Sequence, residues 1–181
     1  MRKLVVSMFL TLDGVMEAPN EWHDAYFDDE MGAAVSAQMA ASDAMLLGRV
    51  TYEGFAAAWP SMPDAPGADH MNNTPKYVVS TTLEKAEWNN STLITGNVPE
   101  EVTKLKQQTG KNITIMGSAT LIQSLMQDGL IDEYQLLVDP IVVGSGKRLF
   151  QDGLDQKALT LVDSTTFGTG VLSLTYQPAG Q

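Results

Sequence analysis

Two apolar runs of strand length each stop at a glycine where a helical pattern begins: Ala44-Met45-Leu46-Leu47-Gly48-Arg49-Val50-Thr51 and Ile113-Thr114-Ile115-Met116-Gly117-Ser118-Ala119-Thr120. A glycine lets a ligand approach the backbone, and the free N–H groups and positive dipole end of the helix behind it attract a phosphate. Two such cradles are what a dinucleotide needs. Arg49 falls in the first turn of its helix, where the dipole disfavours a cation by about 0.3–1 kcal/mol. Either a bound phosphate compensates, matched by the planar guanidinium, or the side chain reaches out to solvent. The hydroxyls Ser80-Thr81-Thr82 close a third apolar run; they suit the 2′-phosphate of NADP, or they form ordinary turn bonds. Gly117-Ser118-Ala119-Thr120 offers successive N–H groups and two hydroxyls for a pyrophosphate, with Ser118 as the expected N-cap. The Rossmann fingerprint G-x-G-x-x-G is absent. Gly144-Ser145-Gly146 reads as a flexible loop, because Gly153 soon interrupts the segment behind it.

Proton chemistry would fall to carboxylates. Asp13 ends the first strand in an Asp-Gly turn, where it can hydrogen-bond a substrate amine or simply shape the turn. Asp24, Asp28, Asp29 and Glu30 gather at the start of the first helix, where the dipole favours acids in any case. His23 and His70 lack the spacing of a helical metal pair, and no cysteine is present, so no metal site is expected. A lone loop histidine such as His23 is expected to be solvated.

These residues need a frame. Lys3 to Leu12 reads as a buried strand, followed by a loop over 15–27 that carries Trp22, Tyr26 and Phe27 and makes a candidate substrate wall. From Asp28 the pattern is helical, with Met31, Ala34, Val35 and Met39 on one face, to about Ser42. Asp43 to Leu47 is a second strand, and Tyr52, Phe55, Ala56 and Trp59 recur at helical spacing. Four prolines, Gly67 and Asn72-Asn73 mark 60–75 as a long surface loop. Lys76 to Ser80 and Thr92 to Thr95 are strands, and a helix runs from Pro99 to a left-handed cap at Gly110. After the second cradle comes a helix with Leu121, Ile122, Leu125 and Met126 apolar, ending at Gly129. Ile131 to Val143 is a strand broken by Pro140; Leu159 to Phe167 and Val171 to Tyr176 form a hairpin about Gly168-Thr169-Gly170. Alternating strands and helices with a terminal hairpin give an α/β sandwich, its sheet mostly parallel with an antiparallel edge. Gly48, Ser80 and Gly117 then converge at the carboxyl ends of three strands, where ligands bind in such sheets.

At 181 residues the chain is read as one domain, residues 1–181, able to bury its own core. A net charge of −11 without a basic stripe argues against nucleic acid. Ser7 and Thr11 interrupt the first apolar run, so it reads as a strand and not as a signal peptide. No stretch suggests a membrane span, and a cytoplasmic address is expected.

Leu12-Asp13-Gly14, Leu47-Gly48-Arg49-Val50-Thr51-Tyr52-Glu53, Tyr77-Val78-Val79-Ser80-Thr81-Thr82-Leu83 and Met116-Gly117-Ser118-Ala119 occur in this order. The chain thereby resembles the dihydrofolate reductase-like superfamily. Leu130-Ile131-Asp132-Glu133-Tyr134, Pro140 to Gly146 and Leu149-Phe150 are similar, more narrowly, to the reductase domain at the C-terminus of bifunctional riboflavin-biosynthesis deaminase-reductases. The resemblance covers nearly the whole chain. It implies a three-layer sandwich, a homodimer, and NADPH as cofactor. Gly48, Arg49 and Thr51 would form one phosphate cradle, Ser80 and Thr81 would sit near the adenosine phosphate, and Gly117, Ser118, Ala119 and Thr120 would surround the pyrophosphate. It also implies hydride transfer to a flat, small-molecule heterocycle, a pyrimidine or a pteridine, with Asp13 in contact with substrate as the catalytic candidate. Trp22 corresponds in place to a tryptophan before the first helix of dihydrofolate reductases, and Asp28, Asp29 or Glu30 to the carboxylate that protonates the pterin. The riboflavin reductases usually carry a lysine directly after the Asp-Gly pair, whereas this chain has Val15, which points away from a phosphorylated ribosylaminopyrimidine. A non-catalytic nucleotide-binding sensor on the same fold is the alternative.

Overall fold

The structure, a computed structural model, describes residues 1–180. Its strands are β1 (Leu4–Thr11), β2 (Ser42–Gly48), β3 (Lys76–Val79), β4 (Ser91–Ile94), β5 (Asn112–Ile115), β6 (Glu133–Asp139), β7 (Leu159–Thr166) and β8 (Leu172–Pro178). Its helices are α1 (Asp29–Ala40), α2 (Arg49–Ala58), α3 (Ala68–Asn73), α4 (Val98–Gln107) and α5 (Ala119–Gln127). All eight strands join one sheet in the order β4-β3-β2-β5-β1-β6-β8-β7. The first six run parallel and the hairpin β7–β8 adds an antiparallel edge against β6.

β1 shows why the sheet is covered on both sides. Leu4, Val6, Met8 and Leu10 pack with Val102 and Leu105 of α4 and Ile122 and Leu125 of α5. Side chains of the opposite face meet the other helices: Met45 and Leu47 pack on Tyr52 and Met71, and Phe9 and Leu137 pack near Met31 and Val35. Helices α4 and α5 thus form one layer and α1, α2 and α3 the other, a three-layer α/β sandwich. Each fully buried Leu or Ile in these layers contributes about 1.5–3 kcal/mol. Among the described residues, no helix is long and apolar enough to cross a membrane.

Three expectations need correction. Residues 60–75 are not all loop, since α3 starts from Gly67 at φ +83° and buries Ala68 and Met71. The prolines mark the turns around this short helix, and tertiary partners hold it there: Met71 packs on Met45 and Leu47, and Lys76 and Trp88 hydrogen-bond to Asn72. Gly110 does not cap α4, whose last turn is followed by Gln108 in extended conformation. It is instead a close approach, for a Cβ there would lie 2.8 Å from Asp43 Oδ2. The loop after β6 is not free either. Leu12 donates to Ile141 O, Met16 to Lys147 O and Leu149 to Gly14 O, tying the loop across the end of β1.

Candidate active site

β2 and β5 are neighbours, with Leu46 opposite Ile115. From β2 the chain moves outward to β3 through α2 on one face; from β5 it crosses β1 to β6 through α5 on the other. A crevice opens where adjacent strands lead in opposite directions, at their carboxyl ends. Gly48 and Gly117, each two residues past that pair, lie at this point.

The two turns are interlocked. The Gly48 N–H donates to Ser118 Oγ at 2.8 Å, and Ser118 Oγ donates to Thr51 Oγ1 at 2.9 Å. A Cβ on Gly48 would lie 2.9 Å from Ser118 Oγ, and one on Gly117 would lie 2.6 Å from Thr51 Oγ1. A side chain at either position would therefore force Ser118 or Thr51 to shift. Gly117 at φ +65° and Ser118 at φ +61° are consecutively left-handed, a strained arrangement for a serine of about 1–2 kcal/mol. Ser118 stands at the N-cap position of α5 but caps nothing, because its hydroxyl is spent on the neighbouring turn. Gly48 leaves α2 without a side-chain cap as well. By contrast, Asp28 caps α1 at Met31 N, and Asn97 caps α4 at Glu100 N. The N–H groups of the first turns of α2 and α5 thus have no capping partner at the crevice, which fits a dinucleotide's phosphates.

A cavity of about 910 Å³ runs from this crevice along the sheet between α1 on one side and α2 and α3 on the other. Gly48, Arg49, Thr51, Gly117, Ser118, Ala119 and Thr120 all line it. Its walls are otherwise mostly apolar, with Phe9, Met16, Phe27, Phe55, Trp59 and Met116 prominent. Arg49 is half exposed and pairs with Glu53 Oε2 at 2.9 Å, one helical turn on. That i,i+4 pair supplies the compensation for its place at a helix start.

The other expected residues lie elsewhere. Ser80 is buried and its Oγ accepts from the N–H of Thr82 and Leu83; neither it nor the exposed Thr81 lines the cavity. Asp13, Trp22 and Asp28 are also outside it. The Asp13 carboxylate accepts from Thr11 Oγ1 at 2.6 Å, Gly144 N at 2.9 Å and Val143 N at 3.3 Å. The Thr11 bond foremost, with the two amides, holds its pKa below the usual value against some desolvation. Trp22 is buried, its indole N–H donating to Glu17 O. Val15 is buried too, under Gly146.

Several site features had no motif to announce them. Ala18, at φ 50°, and Ser118 are two of three described non-glycine residues with positive φ, and both border the cavity. His23, expected to be solvated, is buried, with Nδ1 2.8 Å from Asp139 Oδ2. Its ring stacks on Phe9 at 3.8 Å and meets Phe27 edge-on at 5.7 Å, so it backs two cavity walls. His70 lines the cavity from α3; burial foremost, then the charge of Lys76, depresses its pKa. Among the described residues, no cluster of acids and histidines is arranged to hold a metal ion.

The model of the RibD C-terminal domain matches residues 2–173. The chain belongs to the RibD C-terminal domain family. The chain is 32% identical over 182 residues to uncharacterized protein YyaP of Bacillus subtilis (strain 168), covering 97% of this chain and 94% of that one. Among solved structures it superposes on a putative riboflavin biosynthesis protein from Shewanella sp. PV-4 with a TM-score of 0.79, at 20% identity over 97% and 98% of the two chains. Dihydrofolate reductase from Enterococcus faecalis, complexed with NADP(H), gives a TM-score of 0.64 at 14% identity over 98% and 96%. At such identities the two superpositions speak for the fold, which is dihydrofolate reductase-like.

Proposed function

We propose that this protein is an NADPH-dependent reductase that reduces a flat pyrimidine- or pteridine-like heterocycle. The observation that carries the reading is the pair of uncapped helix starts, locked together by Ser118 at the β2–β5 crevice and opening into an apolar cavity. Family membership and a fold shared with an NADP(H)-complexed reductase support it. NADPH, when bound, supplies the hydride. The chain's part is to bind and orient. First-turn N–H groups of α2 and α5 hold phosphate oxygens, and Arg49, exchanging its exposed pairing with Glu53, takes a further phosphate. Thr81, exposed past β3, is the hydroxyl free to serve the adenosine end, whereas Ser80 shapes the turn beside it. Phe9, Met16 and Phe27 exclude water from the reacting end. Asp13, Trp22 and Asp28 act on that end as positioning residues, through the loops and the helix they fix. A homodimer joined through the β7–β8 edge and a cytoplasmic setting complete the reading.

Equilibrium titration is expected to give tighter binding of NADPH than of NADH, and Arg49→Ala to abolish most of that preference. Unchanged preference in the variant removes the cofactor assignment. One observation favours a second reading, a nucleotide-binding sensor or interaction module without chemistry: Asp13 and Asp28 accept from backbone amides outside the cavity, and Glu17, the one acid lining the cavity among the described residues, accepts from Lys147 N. Steady oxidation of NADPH with any heterocycle of a panel rules that reading out.

A further inference from the structure

The middle of the sheet face under the cavity is covered neither by the cluster around Met31 and Leu137 nor by that around Met45 and Tyr52. In that gap two polar side chains meet. Ser7 follows Val5 and precedes Phe9 on the same side of β1, where the pattern of the face calls for an apolar residue. Gln38 follows Met31 and Val35 at helical spacing along α1, so it belongs to the inward face of that helix. Both line the cavity, and Ser7 Oγ donates to Gln38 Oε1 at 2.6 Å.

We propose that Ser7 and Gln38 form the subsite that reads the ring edge of the substrate, and that the edge it selects is an uncharged lactam, a ring carbonyl beside a ring N–H. The proposal rests on the reading of the cavity as a substrate pocket. With its carbonyl oxygen engaged by Ser7, the Gln38 carboxamide keeps two N–H donors that no group among the described residues accepts. Ser7 Oγ, having donated its hydrogen, keeps its lone pairs. A donor beside an acceptor matches a lactam edge in reverse. Both residues are half-buried, so these positions face the cavity, and a ligand edge that matches them replaces water there without leaving a polar group unpaired. Charge decides against the alternative edge. A diamino-substituted ring that picks up a proton needs a carboxylate against it, and Ser7 and Gln38 are both uncharged; Glu17, the one acid lining the cavity among the described residues, belongs to the loop after β1 and not to this pair.

Lumazine, a pteridine with lactam carbonyls, and the diaminopteridine of the same skeleton are suitable probes, titrated by fluorescence against the full-length protein with and without NADPH. Wild type is expected to bind lumazine about tenfold or more tightly than the diaminopteridine. Gln38→Glu keeps an oxygen for the Ser7 hydroxyl, so the tie between α1 and β1 survives, but it has no N–H to donate. It is expected to reverse the order of the two ligands, because the carboxylate gains a charge-assisted bond to the protonated diamino edge, again by about tenfold. Ser7→Ala is expected to weaken lumazine binding without reversing the order. An unchanged ratio in a folded Gln38→Glu protein overturns the subsite, as does failure of wild type to bind either pteridine. NADPH titration keeps the two readings apart. A ratio that reverses without NADPH binding sinks the reductase and leaves the subsite standing; NADPH binding with an unchanged ratio does the opposite.

Discussion

Asp13 holds the loop opposite it. Its carboxylate gathers the N–H groups of Val143 and Gly144, and its backbone carbonyl accepts from Arg148 Nε. Because these bonds favour the charged form, its pKa in the folded state lies below its unfolded value of about 3.8. The contribution to the loop is therefore complete above that value and lost as pH falls through the lower, folded one. Protection of the Val143 and Gly144 amides from hydrogen exchange, relative to the intrinsic rate at each pH, is expected to be high near neutral pH, to fall as acid protonates Asp13, and to be reduced in Asp13→Asn even near neutral pH. His23 and Asp139 form the other buried residue-scale device. Removing one partner of such a pair leaves a polar group stranded, so His23→Leu is expected to cost about 3–5 kcal/mol in urea unfolding. Replacing both residues with apolar ones is expected to recover most of that loss, and a double mutant as unstable as the single change contradicts a coupled pair.

At the scale of elements, the crevice depends on two glycines that permit two helices to start side by side. Gly117→Ala puts a methyl against Thr51 and forces alanine into the left-handed region, at about 1–2 kcal/mol before any clash. A modest fall in melting temperature with an NADPH affinity reduced about tenfold or more is the expected result. Equal NADPH affinity in the variant would show that the crevice is not the phosphate site. α3 depends on its neighbours in the same way. Lys76, buried below it, donates to the carbonyls of Asn72, Thr74 and Asn89 and lies 4.1 Å over the Trp88 ring, stitching α3 to β3 and the turn before β4. Desolvation pushes its pKa down to about 8.

Across the whole molecule, the covering of the sheet is uneven. β7 is an edge strand whose residues from Thr160 to Thr166 are exposed, with Leu161 and Val162 among the most exposed apolar side chains. An uncovered edge strand of eight residues, with Leu161 and Val162 exposed on it, invites another strand. Light scattering is expected to give a dimer, and Leu161→Lys with Val162→Lys a folded monomer, since like charges would face each other across a two-fold interface. A monomeric wild type discards this interface.

The sequence by itself determined most of the frame, because period and glycine placement are local. The strand runs around Leu46 and Ile115, the helix starts after Gly48 and Gly117, and the hairpin about Gly168-Thr169-Gly170 stand where a reading of residue types puts them. It also drew seven crevice residues to one place, since strand ends in parallel sheets share an edge. Long-range partners were beyond its reach. Whether Asp13 faces a ligand or a loop depends on Val143 and Gly144, about 130 residues away. The burial of His23 depends on Asp139 from β6 and on the Phe9 and Phe27 rings, and α3 depends on Met71 finding Met45 and Leu47 and on the bonds from Lys76. Ser7 and Gln38 meet across 31 residues in a gap between two packed clusters. Such gaps are decided by what the layers leave uncovered, a property of tertiary packing that no single segment carries.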